Sequence, residues 1–207
     1  MRRCVIFGAA PTVLRPSVSS QDYVIAADGG KAQLGDIVPN LVIGDFDSLG
    51  YVPEGEHVVR LPVRKADTDM LGALRAGLKA GCDRFVIYGG LGGRMDHSIA
   101  NIQCLHWLAT QGSRGVLVGD EQSMLVLKGG DMLRFDATSA GILSLFSLDG
   151  LAKVVLRDLD YPYDGVFSST YPMGISNAFV GKEASIFLQE GYLLCVFPTE
   201  SAKILSL

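Results

Sequence analysis

The sequence is poor in charged residues and has no excess of basic ones. Charged side chains make up 19% of the 207 residues, and 18 lysines and arginines stand against 22 aspartates and glutamates, a net charge of −4. Proteins that bind nucleic acid usually carry clustered basic side chains that contact the phosphate backbone. The composition therefore predicts no nucleic-acid partner.

Cysteine is scarce and scattered. The four cysteines, Cys4, Cys82, Cys104 and Cys195, form no Cys-x-x-Cys pair and no cysteine–histidine pair at zinc spacing. A chain of this length can bury a hydrophobic core large enough to fold without disulfide bonds or a structural metal. We therefore expect buried thiols in a reducing compartment.

Long apolar runs are also missing. No segment approaches the roughly 18 uninterrupted apolar residues that a membrane helix requires. The first apolar run, Cys4 to Ala10, lasts seven residues and ends at Pro11, which is typical of a β-strand rather than of a signal peptide. These features predict a cytoplasmic protein with no membrane partner.

Short apolar runs that end in glycine or aspartate dominate the first part of the chain. They are Cys4–Gly8, Tyr23–Asp28, Leu41–Asp45, Arg84–Tyr88 and Gly115–Val118. Continuous rather than alternating hydrophobicity is typical of strands that are buried on both faces of a parallel sheet.

Two segments with helical spacing lie among these strands. Leu71, Leu74 and Leu78 follow Thr68-Asp69 and precede Gly81, and a second helix is predicted over Asp96–Thr110. Alternating strands and helices predict an α/β domain with a parallel sheet, which we assign to residues 1–128.

The pattern changes after about residue 125. Four short stretches are separated by Gly, Asp and Pro turns, and no helical period is present; they are Ile142–Phe146, Ala152–Leu156, Ala184–Leu188 and Tyr192–Phe197. This pattern predicts a smaller all-β sandwich domain over residues 129–207.

Acidic residues follow the predicted strands at the edge where parallel sheets bind ligands. Asp28 ends the second strand, Asp45 and Asp47 follow the third, and Asp69 begins the first helix. In an extended segment Asp45 and Asp47 lie on one side while Phe46 turns into the core. Asp-x-Asp alone is typical of turns and helix caps. Four such acids together would repel each other without a cation, and oxygen ligands favour Mg²⁺.

The most specific segment is the glycine-rich stretch from Gly89 to His97. Its glycines allow a close backbone approach to a ligand, and Arg94 offers a planar donor fork for a phosphate. The alternative is a tight loop with an exposed arginine. His97 has three interpretations, as a proton carrier, a ligand donor or a hydrogen-bonding residue at the helix start. No Gly-x-x-x-x-Gly-Lys-Ser/Thr motif occurs, so the sequence excludes a P-loop.

Five motifs together resemble those of bacterial-type thiamin pyrophosphokinases. They are Ala27-Asp28-Gly29-Gly30, Gly44-Asp45-Phe46-Asp47-Ser48, Thr68-Asp69, the Gly89–His97 block with Asn101, and Gly174-Ile175-Ser176-Asn177. They occur in the family's order, at its approximate spacing, across almost the whole chain.

The resemblance implies a reaction and a set of roles. The reaction is transfer of a pyrophosphoryl group from ATP to the hydroxyl of thiamine, with Mg²⁺, giving thiamine diphosphate and AMP. The implied assembly is a homodimer with active sites between subunits, in which residues 129–207 bind thiamine and dimerise. Asp45, Asp47 and Asp69 match the metal-binding acids, and Arg94 matches the residue that contacts the nucleotide phosphate.

The remaining implied site residues line the nucleotide and substrate pocket. They are Asp28, Gly29, Thr68, Gly92, Gly93, Asp96, His97, Asn101 and, on the thiamine side, Ser176 and Asn177. Asp96 and His97 are the two candidates for a base at the thiamine hydroxyl, and the alternative is a loose phosphoryl-transfer transition state that needs little help from a base.

The sequence departs from the family pattern at two places. The family usually has an aspartate where this chain has Ala66, so either Asp67 substitutes for it or the enzyme manages with one acid fewer. The family also often supplies an aromatic residue near thiamine from its second domain. Here the one tryptophan, Trp107, lies in the first domain, and the tyrosines that could take that role are Tyr161, Tyr163 and Tyr171.

Two other functions compete with this interpretation. Asp96-His97 beside an acidic cluster is similar to the metal-dependent phosphoesterases of the Asp-His-His type, although Ser98 stands where a second histidine is expected. A non-catalytic nucleotide- or thiamine-binding module is the second alternative, and Ala66 is the feature in its favour.

Overall fold

The structure is a computed structural model that describes residues 2–14, 16–46, 51–55, 57–62 and 67–202. It divides into two units, residues 1–120 and 121–207. The boundary predicted from the sequence lies between residues 128 and 129. The strand Gln122–Lys128 falls in the second unit, where it pairs along its whole length with the strand Tyr192–Pro198.

The first unit contains a six-stranded parallel sheet with the order β6-β5-β1-β2-β3-β4. Its strands are β1 (Arg3–Phe7), β2 (Tyr23–Ala27), β3 (Leu41–Gly44), β4 (Val58–Arg60), β5 (Arg84–Tyr88) and β6 (Arg114–Val118). Five of these were predicted. The sequence analysis missed β4, because this strand has only three residues and is largely exposed.

The described residues of this unit also form two α-helices and a 3-10 helix: α1 (Asp69–Lys79), α2 (Met95–Thr110) and the 3-10 helix Asp28–Gln33. The Thr68 side chain caps α1 by accepting a hydrogen bond from the backbone N–H of Leu71 at 3.2 Å. Ala73 and Leu74 of α1 are fully buried. Both α-helices were predicted, whereas the 3-10 helix was not.

The core of the first unit lies around β1, β2 and β5. Residues 4–7 of β1 and 24–27 of β2 are at most 3% exposed, which confirms that these strands are covered on both faces. The four cysteines are free and buried. Burial raises the pKa of the Cys104 and Cys195 thiols, so these side chains behave as small apolar groups.

In the described part of the second unit, antiparallel strands lie in two sheets, in the orders β12-β9-β14-β7 and β11-β10-β13-β8. The strands are β7 (Gln122–Lys128), β8 (Met132–Phe135), β9 (Ile142–Ser147), β10 (Leu151–Arg157), β11 (Tyr163–Ser168), β12 (Gly174–Ala178), β13 (Ala184–Glu190) and β14 (Tyr192–Pro198), with the short helix α3 (Thr199–Ala202). Phe135 of β8 packs edge-on against Phe197 of β14, with ring centroids 5.4 Å apart. The sheets therefore pack face to face, as predicted for a sandwich.

Among the helices of the described segments, none is both long and apolar enough to cross a bilayer.

Candidate active site

A cleft of about 460 Å³ lies at the carboxyl ends of the parallel strands of the first unit. Its walls come from the segments that follow β1, β2, β3 and β5, together with the first turns of α1 and α2. Parallel sheets bind ligands at this edge. The predicted site residues that line it are Asp28, Asp45, Thr68, Asp69, Gly92, Gly93, Arg94, His97 and Asn101.

Three carboxylates converge in this cleft. Asp28, Asp45 and Asp69 each place one carboxylate oxygen within 4.8 Å of the other two. Asp45 and Asp69 were expected to bind a metal, whereas Asp28 was expected in the pocket wall. Asp47, the other expected metal ligand, lies outside the described residues. Asp28 thus lies beside two of the three acids that were expected to bind the metal.

Asp28 reaches the cluster because of two backbone features. Its own φ is +48°, in the left-handed region that aspartate tolerates better than most residues. Gly44 at the end of β3 lies so close that a Cβ at this position would be 2.9 Å from the Asp28 Cα. A glycine at position 44 therefore lets the ends of β2 and β3 approach closely enough to bring Asp28 and Asp45 together.

One oxygen of this cluster has no partner among the described residues. Asp28 is 8% exposed, and its Oδ1 is buried without a hydrogen bond. Burying an unpaired carboxylate oxygen is costly, and two neighbouring carboxylates raise the cost further. Three carboxylates around such an atom form a donor set that fits a hard divalent cation such as Mg²⁺.

Phe46 corrects one detail of the sequence analysis. It is 3% exposed and packs with Val5, Phe7 and Val24, so it turns into the core as predicted. Its φ, however, is +64°, so the segment after Asp45 is not extended as expected. Burial of the ring in this cluster holds a backbone conformation that a bulky residue rarely adopts.

Asp67 does not join the acidic cluster. It lines the cleft, but its carboxylate forms a salt bridge with Arg75. The Arg75 guanidinium also lies over the Trp107 ring, 5.8 Å from its centroid. Asp67 is therefore paired with Arg75 of α1 and is not one of the three converging carboxylates, while Ala66 lies outside the described residues.

Arg94 and Asp96 form an exposed two-point ion pair at the start of α2. Arg94 Nε lies 3.1 Å from Asp96 Oδ1, and Arg94 Nη2 lies 2.6 Å from Oδ2. The hydrogen bonds from Arg94 lower the pKa of Asp96, and Asp96 also accepts the backbone N–H of His97 at 3.0 Å. Because the Arg94 side chain is 73% exposed, it can exchange this carboxylate for a phosphate.

Asn101 of α2 anchors the glycine-rich loop through its side chain. The side-chain amide of Asn101 donates to the carbonyl oxygen of Gly90 at 2.7 Å, and this contact is buried. Gly92 and Gly93 have φ values of +90° and +63°, as expected of the loop. Asn101 thus lines the cleft and also shapes the loop, a role that residue spacing did not reveal. Gly29 lies in the 3-10 helix that begins at Asp28.

The second unit carries its own pocket of about 560 Å³, and Ser176 and Asn177 line it with Tyr161, Tyr163 and Ile175. Asn177 is 6% exposed, and its amide is committed to Tyr161. It donates to the Tyr161 carbonyl at 2.8 Å and accepts the Tyr161 N–H at 3.0 Å. Asn177 therefore positions Tyr161, whereas Ser176 is exposed.

The three candidate tyrosines differ in their surroundings. Tyr163 stacks on Phe167, with centroids 5.1 Å apart, and its hydroxyl donates to the Val166 carbonyl. Tyr171 lines a separate small pocket of about 40 Å³. Tyr161 lines the larger pocket and is 66% exposed, so its ring is available to a ligand.

Comparison with known proteins identifies the family. Residues 14–117 match the family model described as "Thiamin pyrophosphokinase, catalytic domain". Among curated protein sequences, none matches this chain significantly.

Solved structures share the fold over nearly the whole chain. Thiamine pyrophosphokinase from Bacillus subtilis superposes with a TM-score of 0.82 at 22% identity, covering 96% of this chain and 99% of its own. The enzyme from Geobacillus thermodenitrificans gives 0.78 at 22% identity, covering 98% and 99%. The yeast enzyme gives 0.71 at 15% identity, covering 99% and 89%. The fold matches the prediction from the sequence, and the family model covers half of the chain. The chain belongs to the thiamin pyrophosphokinase family, and its activity is that of a thiamine diphosphokinase.

Proposed function

We propose that the cleft of the first unit binds ATP with Mg²⁺ and there transfers the β- and γ-phosphoryl groups together to thiamine. The cluster of Asp28, Asp45 and Asp69 is the observation that carries this proposal, because it is a carboxylate site that a cation would stabilise. Arg94 lines the same cleft and supplies a donor fork suited to a phosphate.

Asp28, Asp45 and Asp69 would hold the metal, with Asp47 as the further ligand that the resemblance implies. When bound, Mg²⁺ neutralises charge on the phosphate oxygens and aligns them. The buried, unpaired Oδ1 of Asp28 supports this assignment. The metal set thus differs from the sequence prediction by the addition of Asp28.

In the proposed reaction, the hydroxyl oxygen of thiamine forms a bond to the β-phosphorus. The bond between this phosphorus and the bridging oxygen of the α-phosphate breaks, and AMP leaves with that oxygen. Arg94 leaves Asp96 to bind the transferred phosphates, which places positive charge where negative charge develops. His97 lines the cleft and takes the hydroxyl proton, while Asp96 holds Arg94 only until the phosphates bind.

Thiamine binding involves the second unit in this proposal. The pocket lined by Tyr161, Ser176 and Asn177 offers the aromatic ring of Tyr161, whose backbone is held by two partly buried hydrogen bonds to Asn177. An aromatic face is suited to the cationic ring of thiamine. Tyr161 is therefore the aromatic residue that we assign to this role.

We further propose a homodimer that uses this face of the second unit. Large apolar side chains are exposed around the pocket: Tyr161 (66%), Tyr171 (66%), Met173 (44%) and Ile175 (58%). Exposed apolar clusters of this kind are typical of interaction surfaces. A cytoplasmic location is proposed as well, supported by ATP as a substrate and by four cysteines without a disulfide.

The test is to incubate purified protein with Mg²⁺, ATP and thiamine and to identify both products. AMP formed in step with thiamine diphosphate supports the proposal. ADP with thiamine monophosphate would overturn the reaction while leaving the metal site in place. Phosphoester hydrolysis without an acceptor would favour the phosphoesterase alternative, and ligand binding without turnover would favour the binding module.

A substitution at Asp45 tests the metal assignment separately. Asp45→Asn should lose more than about a hundredfold in turnover, because a ligand to the metal that aligns the phosphates is removed. Asp36→Asn is the matched control, since Asp36 is an exposed acid outside the cleft. Near-normal activity of the folded Asp45→Asn protein would reject the metal site.

A further inference from the structure

The segment after β1 crosses over the ends of two neighbouring strands, and its far end is tied to an acid that the proposed reaction does not use. In the sheet, β1 lies beside β5 and β5 lies beside β6. Residues 8–11 of this segment line the cleft. Asp120, two residues beyond the end of β6, contacts the next part of the segment.

The near end of the segment is bonded to the end of β5. The Gly8 N–H donates to the Tyr88 carbonyl at 2.7 Å, and the Ala10 N–H donates to the Gly89 carbonyl at 3.0 Å. The contact leaves no room for side chains. A Cβ at Gly89 would lie 2.5 Å from the Gly8 carbonyl oxygen, and Gly89 has a φ of +63°.

The far end is bonded to Asp120. The Thr12 hydroxyl donates to Asp120 Oδ1 at 2.5 Å, and the Val13 N–H lies 3.2 Å from Oδ1 and 3.4 Å from Oδ2. Thr12 Oγ1 also accepts the Leu14 N–H at 3.1 Å. A carboxylate that accepts several donors of one loop restricts that loop strongly.

We propose that Asp120 is a positioning residue that fixes the wall formed by residues 8–11 and thereby sets the affinity of the cleft for the nucleotide. The wall is held at one end by Gly89 and at the other by Asp120, so loss of the Asp120 contacts lets it move away from the ligand. This inference rests on the proposed function, because it assigns ATP to the cleft. The acids of the metal cluster are separate from this anchor.

The test compares two pairs of variants. Asp120→Ala removes the acceptor and Thr12→Val removes the hydroxyl donor. Asp120→Asn keeps an acceptor oxygen, and Thr12→Ser keeps the hydroxyl. We expect Asp120→Ala and Thr12→Val each to raise the KM for ATP about tenfold, the effect of one lost hydrogen bond to a charged group. We expect kcat to stay within about twofold, because the reacting groups are untouched. The double variant should be no worse than Asp120→Ala, since Asp120→Ala already removes the Thr12 contact, and the two conservative variants should keep the wild-type KM.

Asp83→Ala is the matched control. Asp83 Oδ1 accepts the Arg2 N–H at 2.9 Å before β1, so the variant breaks a similar bond at the opposite edge of the sheet. Its KM for ATP should stay at the wild-type value. Four results would each overturn the proposal. They are an unchanged KM for ATP in Asp120→Ala, an equal rise of this KM in Asp83→Ala, additive effects of Asp120→Ala and Thr12→Val on the KM, and a KM in Asp120→Asn as high as that in Asp120→Ala.

A second readout needs no turnover. Amide hydrogen exchange over residues 9–14 should become faster in Asp120→Ala than in wild type, while exchange in α2 stays unchanged. Failure of the wild-type protein to form thiamine diphosphate and AMP would reject the proposed reaction. Unchanged exchange over residues 9–14 would reject the anchor, so the two failures are distinguishable.

Discussion

At the scale of single residues, the acidic cluster is the feature with the most direct physical consequences. Asp28, Asp45 and Asp69 repel each other when no cation lies among them, and the buried oxygen of Asp28 has no hydrogen bond in the described part of the chain. A site of this kind trades stability of the metal-free protein for metal affinity.

Asp28→Asn should therefore change stability in opposite directions with and without metal. In EDTA the variant should be more stable than wild type by about 1 kcal/mol, because one like charge is removed. Mg²⁺ should raise the melting temperature of wild type by mass action but have little effect on the variant. Thermal unfolding with and without Mg²⁺ measures both effects. A variant that responds to Mg²⁺ as wild type does would exclude Asp28 from the metal site.

At the scale of elements, the start of α1 links helix stability to the site. Thr68 caps the helix and lines the cleft, and Asp69 is the first helical residue and belongs to the acidic cluster. Asp69 is an acidic residue in the first turn of α1, where a negative charge interacts favourably with the helix dipole. The same turn therefore ends a loop, begins a helix and presents a carboxylate.

Thr68→Ala should destabilise the protein by about 1 kcal/mol, since the bond from the Leu71 N–H to the Thr68 hydroxyl is lost. Thr68→Ser keeps the hydroxyl and should recover most of that stability. Urea unfolding at constant pH measures the difference, and the slope with denaturant should not change. Equal stability of the alanine and serine variants would show that the cap contributes nothing.

At the scale of the whole molecule, acid stability depends on a partly buried ion pair between Arg3 of β1 and Asp22, the residue before β2. Asp22 is 9% exposed and accepts hydrogen bonds from Arg3 at 2.5 and 2.9 Å and from the Ser19 N–H at 2.7 Å. The hydrogen bonds from Arg3 lower the pKa of the Asp22 carboxyl below its ordinary value. The pair therefore stabilises the fold above the unfolded pKa of about 3.9 and loses this effect as pH falls through the lower folded pKa.

Asp22→Asn should weaken the dependence of the free energy of unfolding on pH in the acidic range. At pH 7 we expect a loss of about 1 kcal/mol, a modest value because the Arg3 side chain is 36% exposed and screened by solvent. The difference between wild type and variant should shrink below about pH 4. Urea unfolding from pH 7 to pH 3 measures it, and a constant difference across this range would contradict the assignment.

Assembly is the second property of the whole molecule. If the exposed apolar face of the second unit forms the dimer, Ile175→Asp should dissociate it, because a charge would be buried at the interface. Sedimentation velocity should then give 22.1 kDa for the variant and twice this mass for wild type. Val38→Asp is the control, since Val38 is 85% exposed in the first unit. A dimeric Ile175→Asp protein would place the interface elsewhere.

Much of the fold was predictable because local chemistry decides it. The continuous apolar strands, the Thr68 cap and the glycine after α1 each reflect a backbone requirement that a short sequence window contains. The strand β4 and the 3-10 helix at Asp28 were missed, since β4 has weak patterning and the 3-10 helix packs against β1 and β3, which lie outside its own short sequence window, as well as against the preceding β2. The strand β7 belongs with the second unit because it pairs with the distant β14.

The candidate site, like the fold, was predictable from the sequence only in part. The sequence by itself determined which chemical groups are available: the acids at the strand ends, the glycine-rich loop and Arg94. The tertiary structure decided how those groups are used. It brought Asp28 to Asp45 and Asp69, turned Asp67 toward Arg75, and committed Asn177 to Tyr161. Residue type is a local property, whereas a carboxylate's partner depends on which distant backbones approach within a few ångströms, as at Gly44 and Asp28.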